Sequence, residues 1–127
     1  MTFAYFCVLI AMLMPLACAA YAKKVGGFTL SDNRDPRAFL AKTEGEAARA
    51  NAAQQNSFEA FAPFAAAVII AHATGEASQF AINFWALVFI VSRVVFIYMY
   101  VRDKALFRSL SWLVGLFSII MLFVVAF

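Results

Sequence analysis

Residues 49–64 read RANAAQQNSFEAFAPF and mark the place where a polar segment runs into an apolar one. On a helix of 3.6 residues per turn, Arg49, Asn56 and Glu59 fall within an arc of roughly 80°. The other faces of the segment carry mostly Ala and Phe. The stretch therefore predicts a helix with one polar face, which the rest of the chain has to bury and supply with partners.

Apolar residues dominate the whole chain. Of its 127 residues, 65% are hydrophobic and 13% are charged, which is typical of a membrane protein and not of a soluble domain. Four blocks approach the roughly 20 apolar residues that a membrane-spanning helix needs. They are Phe3–Ala22, Phe58–Ala73, Ala81–Tyr100 and Leu110–Phe127. The sequence predicts one all-α domain over residues 1–127, a four-transmembrane-helix bundle with helices at about 3–22, 44–73, 80–100 and 108–127.

Polar residues mark the ends of the first two predicted helices. The first block ends in ACAAYA, which resembles the cleavage site of a signal peptide. Because Lys23 and Lys24 follow the apolar run instead of preceding it, we expect a retained transmembrane helix. The second helix is predicted to begin near Thr43, because Thr43 with Glu46 three positions later has the pattern of a capping box.

The basic residues predict the orientation of the chain in the membrane. The middle connection, around His72 to Gln79, contains no Lys or Arg. The positive-inside rule then places the first and third connections in the cytoplasm and both termini outside, which means in the periplasm for a bacterial inner membrane. This asymmetry explains the net charge of +3, so the charge gives no indication of a nucleic-acid partner. The basic residues of the first connection are Lys23, Lys24, Arg34, Arg37, Lys42 and Arg49, and those of the third are Arg102, Lys104 and Arg108.

The sequence contains no pattern typical of a metal site or of a hydrolase. Cys7 and Cys18 are too far apart along one helix for a disulfide, so we expect both to be packing residues. His72 is the one histidine of the chain and has no second ligand near it, which favours a packing or interfacial role over metal binding. Zinc spacing, a phosphate-binding glycine loop and a Ser/His/Asp arrangement are all absent from the sequence.

Arg93 stands alone among the apolar residues of the third predicted helix. If the second and third helices form a hairpin that turns near Gly75 and Glu76, Glu59 and Arg93 are equally far from the turn and reach the same depth. An isolated charge at the centre of a bilayer costs about 2.5 to 3.5 kcal/mol, which an opposite charge at equal depth reduces. We therefore expect Glu59 and Arg93 to form an ion pair, within one chain or between neighbouring chains.

Small residues recur on the fourth predicted helix. Ser111, Gly115 and Ser118 are spaced four and three residues apart. Small side chains at this spacing allow two helices to approach closely in a membrane. The pattern predicts a packing face and not a binding site.

One set of residues in the second and third predicted helices is distinctive. The second helix carries Gln54, Asn56, Glu59, Pro63 and Phe64, and the third carries Arg93 and Tyr100. This set resembles that of the MAPEG superfamily, the membrane-associated proteins in eicosanoid and glutathione metabolism, and the segment YVRDKALFRSLSW, residues 100–112, resembles its small bacterial members. The resemblance implies a homotrimer of four-helix subunits in the lipid bilayer, with glutathione bound near the cytoplasmic side between adjacent subunits.

The same resemblance implies a role for each polar residue. Arg108 is the candidate for stabilising the glutathione thiolate, with Tyr100 as a hydrogen-bonding helper; Arg102 and Lys104 remain alternatives to Arg108. Gln54 matches a position that faces the neighbouring subunit. The candidates for binding glutathione are Arg49, Gln54, Asn56, Glu59 and Arg93, and Arg34 and Arg37 of the first connection are candidates for an anionic ligand or for lipid phosphates.

Two functions are compatible with this pattern. The first is a membrane-bound glutathione-dependent transferase or peroxidase-like protein that attacks lipophilic electrophiles with an activated thiolate. The alternative is a non-catalytic MAPEG-fold protein that serves as a structural or accessory subunit, as in a larger membrane complex. Arg108 and Tyr100 favour the first function. Ala52 favours the second, because catalytic members of the family carry an arginine at this place, one turn before the Asn.

Overall fold

The protein consists of helices joined by short turns. The structure, a computed structural model, describes residues 1–127. Four helices, here called α1, α3, α4 and α5, are long and apolar enough to cross a membrane. The predicted all-α bundle of four membrane helices is therefore confirmed. The elements are α1 Phe3–Gly26, a 3-10 helix Leu30–Arg34, α2 Pro36–Ala41, α3 Gly45–Thr74, α4 Gln79–Val101 and α5 Ala105–Val124.

Helices α1 and α4 run antiparallel to α3 and α5. The last turns of α1 and α4 and the first turns of α3 and α5 therefore meet at one end of the bundle, which we call the basic end. Of the ten Lys and Arg residues of the chain, Arg93 alone lies away from this end or its connections. The charge asymmetry seen in the sequence is thus a property of the folded bundle.

The first connection is more regular than a loop. Helix α1 continues through Lys23 and Lys24 to Gly26 and is capped by Gly27, whose φ of 76° is left-handed. Asp35 then starts α2 by accepting a hydrogen bond of 3.0 Å from the backbone N–H of Ala38. In the 3-10 helix between them, hydrogen bonds from Thr29 hold the pKa of Asp32 below its ordinary value.

The start of α3 differs from the sequence prediction. Its N-cap is Glu44, and no side chain caps it. The hydroxyl of Thr43 donates instead to the carbonyl of Leu40, at 2.6 Å. The predicted capping box at Thr43 is therefore wrong, because the preceding helix α2 takes this hydroxyl for its own last turn. Gly45 enters α3 with a φ of 57°, which an L-residue rarely adopts.

Small side chains line the contact between α1 and α3. Both cysteines are free and buried here, in the packing role expected for them. Because the side chains are small, the two backbones approach closely, as is typical of helices in membranes. The buried residues of α1 are Ala4, Cys7, Ala11, Pro15, Cys18 and Ala22, and those of α3 are Ala47, Ala50, Ala53, Ser57, Phe64, Ala67, Val68 and Ala71.

His72 joins the ends of α1 and α3 opposite the basic end. Its Nδ1 lies 2.8 Å from the carbonyl of Val68, and its Nε2 lies 3.0 Å from the hydroxyl of Thr2. The imidazole also stacks on Tyr5, with ring centroids 4.3 Å apart. His72 thus has the packing role that its isolation in the sequence predicts.

The small residues of α5 face α4. Ser111, Gly115 and Ser118 are all buried, which confirms the predicted packing face. A methyl group added at Gly115 would lie 3.0 Å from the hydroxyl oxygen of Ser92 on α4. This contact is tight, so glycine at this position permits the observed approach of the two helices.

The turn between α4 and α5 is closed by a Schellman motif. Asp103 has a φ of 58°, the one positive value outside glycine. Its N–H bonds to the carbonyl of Tyr100 at 3.1 Å, and the N–H of Lys104 bonds to the carbonyl of Met99 at 2.9 Å. The turn fixes where α5 begins, and therefore where Arg108 lies relative to Tyr100.

Substitution of Asp103 tests this turn. We expect Asp103→Gly to stabilise the protein by about 0.5 to 1 kcal/mol, because glycine adopts a positive φ without steric cost. Asp103→Val should destabilise it by about 1 to 2 kcal/mol, because a branched side chain is strained there. The measurement is the thermal unfolding midpoint in detergent. Asp103→Asn is the matched control, since it removes the charge and keeps the tolerance for a positive φ; a higher midpoint for the valine variant would contradict the left-handed turn.

Candidate functional site

A groove with polar walls lies between α3, α4 and α5, and we call it the polar groove. Its deeper part is a pocket of about 190 Å³ that Asn56, Glu59 and Arg93 help to line. Its outer part, toward the basic end, has a volume of about 440 Å³ and contains Tyr100 and Arg108. Asn56 and Trp112 line both parts, so the two adjoin each other. Five residues singled out in the sequence therefore lie along one surface.

Arg93 is the buried charge of the groove. Its side chain is 3% exposed, and its Nη2 donates a hydrogen bond of 3.2 Å to the hydroxyl of Ser57 on α3. The guanidinium carbon lies 4.0 Å from the centroid of the Phe96 ring, an attractive cation–π geometry. Burying a charge is costly unless it is paired or hydrogen-bonded, so these two neighbours stabilise Arg93 inside the bundle.

Glu59 reaches the predicted depth, since it lines the same pocket as Arg93. The expected ion pair is nevertheless not formed within the chain, because no nitrogen of Arg93 comes within 4.0 Å of the Glu59 carboxylate. Glu59 is exposed and accepts a hydrogen bond of 3.4 Å from Asn56. The reason is the helical period: Ser57, two residues earlier, points at α4, and Glu59 is turned to the outer surface of the bundle.

Ser57 was not singled out in the sequence. A single serine between Asn56 and Phe58 carries no distinctive pattern in the sequence. The signal that identifies it is positional. Ser57 continues the buried series Ala47, Ala50 and Ala53 of α3, so its hydroxyl has to face another helix.

Arg108 and Tyr100 form the outer wall of the polar groove. The guanidinium carbon of Arg108 lies 4.5 Å from the centroid of the Tyr100 ring. Of the three basic residues considered for this position, Arg108 alone lines the groove. Arg102 stacks over Tyr98 on another face of α4, at 5.6 Å, and Lys104 is the exposed N-cap of α5.

Arg49 has a partner of its own at the basic end. Its Nε donates a hydrogen bond of 3.0 Å to the carbonyl of Val101, in the last turn of α4. A cation at this place also interacts favourably with the negative end of the helix dipole. Arg49 therefore holds α3 against the end of α4, next to Tyr100, and does not line the polar groove.

The remaining three candidates lie elsewhere on the chain. Gln54 and Arg37 line a pocket of about 300 Å³ on the opposite face of α3. Arg34 lines a pocket of about 620 Å³ between the end of α1 and the start of α3. Residues two positions apart on a helix are rotated by about 200° from each other, so Gln54 and Asn56 face in nearly opposite directions. Within one chain, Gln54, Arg34 and Arg37 do not join the groove.

Two amide oxygens of α3 are buried without a hydrogen-bond partner. They are Oε1 of Gln54 and Oδ1 of Asn56, one on each of the two opposite faces. Leaving such a group unsatisfied costs about 1 to 3 kcal/mol. Each face of α3 thus offers hydrogen-bond capacity that the single chain leaves unused.

Comparison with known proteins identifies the family. The model of the MAPEG family matches residues 1–127, the whole chain. The chain belongs to the MAPEG family and is a membrane protein of that family, which is broadly associated with glutathione. No curated protein and no solved structure matches the chain.

The hydrogen bond between Arg93 and Ser57 makes a testable contribution to stability. In Ser57→Ala the buried guanidinium loses this acceptor, and we expect a destabilisation of about 1 to 3 kcal/mol, the cost of an unsatisfied buried donor. The thermal midpoint in detergent measures it. Ser109→Ala is the matched control, because Ser109 also lines the groove but is exposed. Equal midpoints for the two variants would show that Arg93 does not depend on Ser57.

The contact of Arg49 with the end of α4 gives a second test. We expect Arg49→Ala to destabilise the protein by about 1 to 2 kcal/mol, because a charged hydrogen bond to the last turn of α4 is lost. Amide hydrogen exchange at residues 99–104 should become faster in this variant. The control is Arg37→Ala, which removes an exposed arginine. If exchange at 99–104 accelerates as much in the control, the contact of Arg49 is not what holds this turn.

Proposed function

We propose that this protein is a membrane-bound glutathione-dependent transferase or peroxidase-like protein that acts on lipophilic electrophiles. The observation that carries the proposal is the polar groove, in which Arg93 and Glu59 line the deeper part, Arg108 lines the outer part and Asn56 lines both. The outer part of the groove, about 440 Å³, falls within the usual range of roughly 300 to 1,000 Å³ for small-molecule sites, and the deeper part of about 190 Å³ adjoins it.

The residues of the groove fit the chemistry of glutathione. This tripeptide carries two carboxylates, one ammonium group and two amides. Arginine binds carboxylates through charged hydrogen bonds, which are stronger than neutral ones. Arg93 is suited to one carboxylate and Glu59 to the ammonium group. The unpartnered Oδ1 of Asn56 is an acceptor for a peptide N–H.

Arg108 is the residue suited to activate the thiol. When bound, glutathione supplies a sulfur nucleophile. A cation beside a thiol lowers its pKa and so raises the fraction of thiolate at neutral pH. Tyr100, whose ring lies beside Arg108, is our candidate to donate a hydrogen bond from its hydroxyl to the sulfur. Trp112 and Leu113 line the groove next to Arg108, and they give a lipophilic molecule an apolar route from the bilayer.

The outer surface of α3 supports assembly into a homotrimer. Glu59, Gln55 and Phe58 are exposed in the single chain. A carboxylate that faces lipid is costly, and cover by a second copy of the chain removes this cost. The face of α3 that carries Gln54, near Arg37, would then complete the polar groove of the neighbouring subunit.

The distribution of charge supports a location in a bacterial inner membrane. The basic end would face the cytoplasm, because positively charged connections are retained on that side. Both termini would then be periplasmic. The polar groove would open toward the cytoplasm, where Arg108 and Tyr100 lie.

A non-catalytic role as a structural or accessory subunit is the second candidate. Ala52 favours it, because this alanine stands one turn before Asn56 at the place of a family arginine. Arg49 is the nearest basic residue of α3, but its Nε is already bonded to the carbonyl of Val101. In this alternative the polar residues serve only to hold helices and subunits together.

Thiolate formation distinguishes the two candidates. We expect purified protein to show the ultraviolet absorbance of bound thiolate in millimolar glutathione and to conjugate a generic electrophile. Arg108→Ala should lower turnover by at least about tenfold, because the thiol loses its neighbouring cation. The oligomer should stay intact, which size-exclusion chromatography checks. Lys104→Ala is the matched control, as it removes a basic residue outside the groove.

The opposite results would support the structural role. Absence of a thiolate signal in millimolar glutathione would overturn the enzymatic proposal. Glu59→Ala, in contrast, should impair assembly under both candidates. If Arg108→Ala impairs assembly as much as Glu59→Ala does, Arg108 is a structural residue.

A further inference from the structure

A second groove lies on another side of the bundle, between α1 and α4, and has no part in the function proposed above. We call it the α1–α4 groove. Its volume is about 460 Å³, and nine of its ten lining residues are hydrophobic. We propose that it binds one acyl chain of an anionic phospholipid whose phosphate is held at the basic end by Arg102 and Lys24. The lining includes Ala17, Cys18 and Tyr21 of α1 and Val94, Tyr98 and Arg102 of α4.

The shape of the groove suits a hydrocarbon chain. Small residues, Ala17, Cys18 and Ala50, leave the space between the two helices unfilled. On α4 the lining extends from Val94 to Arg102. Eight residues of helix correspond to about 12 Å along the axis. Since α1 and α4 cross the membrane, this axis has the direction of the lipid chains.

The end of the groove nearest the basic end is polar. Arg102 is exposed, and its guanidinium carbon lies 5.6 Å from the centroid of the Tyr98 ring. Lys24 is exposed and lies on the same face of α1 as Ala17 and Tyr21, one turn closer to the end of that helix. Tyrosine side chains are common at this level of a membrane, where the ring contacts lipid and the hydroxyl contacts water.

The charges at this end favour an anion. Tyr21 donates a hydrogen bond to Glu46, the acidic residue of the neighbouring first turn of α3. Arg102 lines this end of the groove, and helical periodicity places Lys24 one turn beyond Tyr21 on the same face of α1, so two cations are available to an anion there beside the carboxylate of Glu46. Arginine binds phosphate through two parallel hydrogen bonds, which makes Arg102 the main contact.

The combination of features identifies the class of ligand. A soluble anion would leave the apolar length of the groove unused, and an uncharged lipid would leave Arg102 and Lys24 unused. A phospholipid with a net negative headgroup uses both. Each basic residue near an anionic membrane surface is worth about a fivefold change in affinity, so two cations predict a clear preference for anionic over zwitterionic lipid.

Lipid binding to the purified full chain tests the proposal. Native mass spectrometry would compare phosphatidylglycerol with phosphatidylcholine of the same acyl chains. We expect the wild type to bind phosphatidylglycerol about 25-fold more tightly, and Arg102→Gln and Lys24→Gln each to reduce this preference to about fivefold. Lys104→Gln is the matched control, because it removes a charge at the same end but outside the groove, and it should keep the preference.

Substitutions that fill the α1–α4 groove test whether the acyl chain of the lipid binds there. Ala17→Trp should abolish binding of both lipids, because the indole occupies the space between α1 and α4. Val94→Trp is a second variant that keeps the test informative if the first does not fold, since Val94 lies on the wall and is 54% exposed. Unchanged binding in the folded tryptophan variants would overturn the proposal. Equal affinity of the wild type for the two lipids, or a loss in Lys104→Gln as large as in Arg102→Gln, would overturn it as well.

Discussion

The rest of the structure depends on the burial of one guanidinium group inside an apolar bundle. Arg93 is 3% exposed in the single chain, although it lies in the middle of a helix of membrane-spanning length. Two neighbours stabilise it: the hydroxyl of Ser57 and the ring of Phe96. A charge in this position fixes the rotation of α4 about its axis, because any other rotation would turn Arg93 toward lipid.

The packing of α5 follows from the same requirement. A side chain at Gly115 would come within 3.8 Å of Cδ of Arg93 and within 3.0 Å of the Ser92 hydroxyl oxygen. Glycine at this position therefore leaves room for α5 to cover the arginine. The small residues of α5 and the charge of α4 are parts of one arrangement, and the polar groove is the space that remains beside them.

Much of this structure could be predicted from the sequence, because composition and helical period act over short stretches. The four membrane helices follow from runs of apolar residues, and the common depth of Glu59 and Arg93 follows from the hairpin. The direction of a side chain across the interface does not follow from such counting. Ser57, and not Glu59, is the residue of α3 that points at Arg93. Likewise, the hydroxyl of Thr43 donates to the last turn of the short helix α2. The glycines and Pro36 of the first connection are typical of a loop, so the sequence did not predict this helix.

The sequence does not predict the partners of those polar groups that have no hydrogen-bond partner within one chain. Gln54 and Asn56 end in unpaired oxygens on opposite faces of α3, and no pattern within a single chain determines what they meet. Arg49 illustrates the other difficulty. Its helical position places it on the polar face, but its Nε donates a hydrogen bond to the carbonyl of Val101 instead of lining the groove.

The contact of His72 with Thr2 has a consequence for the biosynthesis of the protein. It joins the start of the first membrane helix, α1, to the end of the second, α3, at a sequence separation of 70 residues. Helix α1 is apolar enough to enter the bilayer by itself, whereas α3 carries Gln54, Asn56 and Glu59. Because α1 is synthesised first, we expect it to offer α3, the least apolar of the four spans, a protein neighbour with small side chains in place of lipid. The order of the helices in the chain thus provides α1 as a packing partner before α3, the span that most needs one, is synthesised.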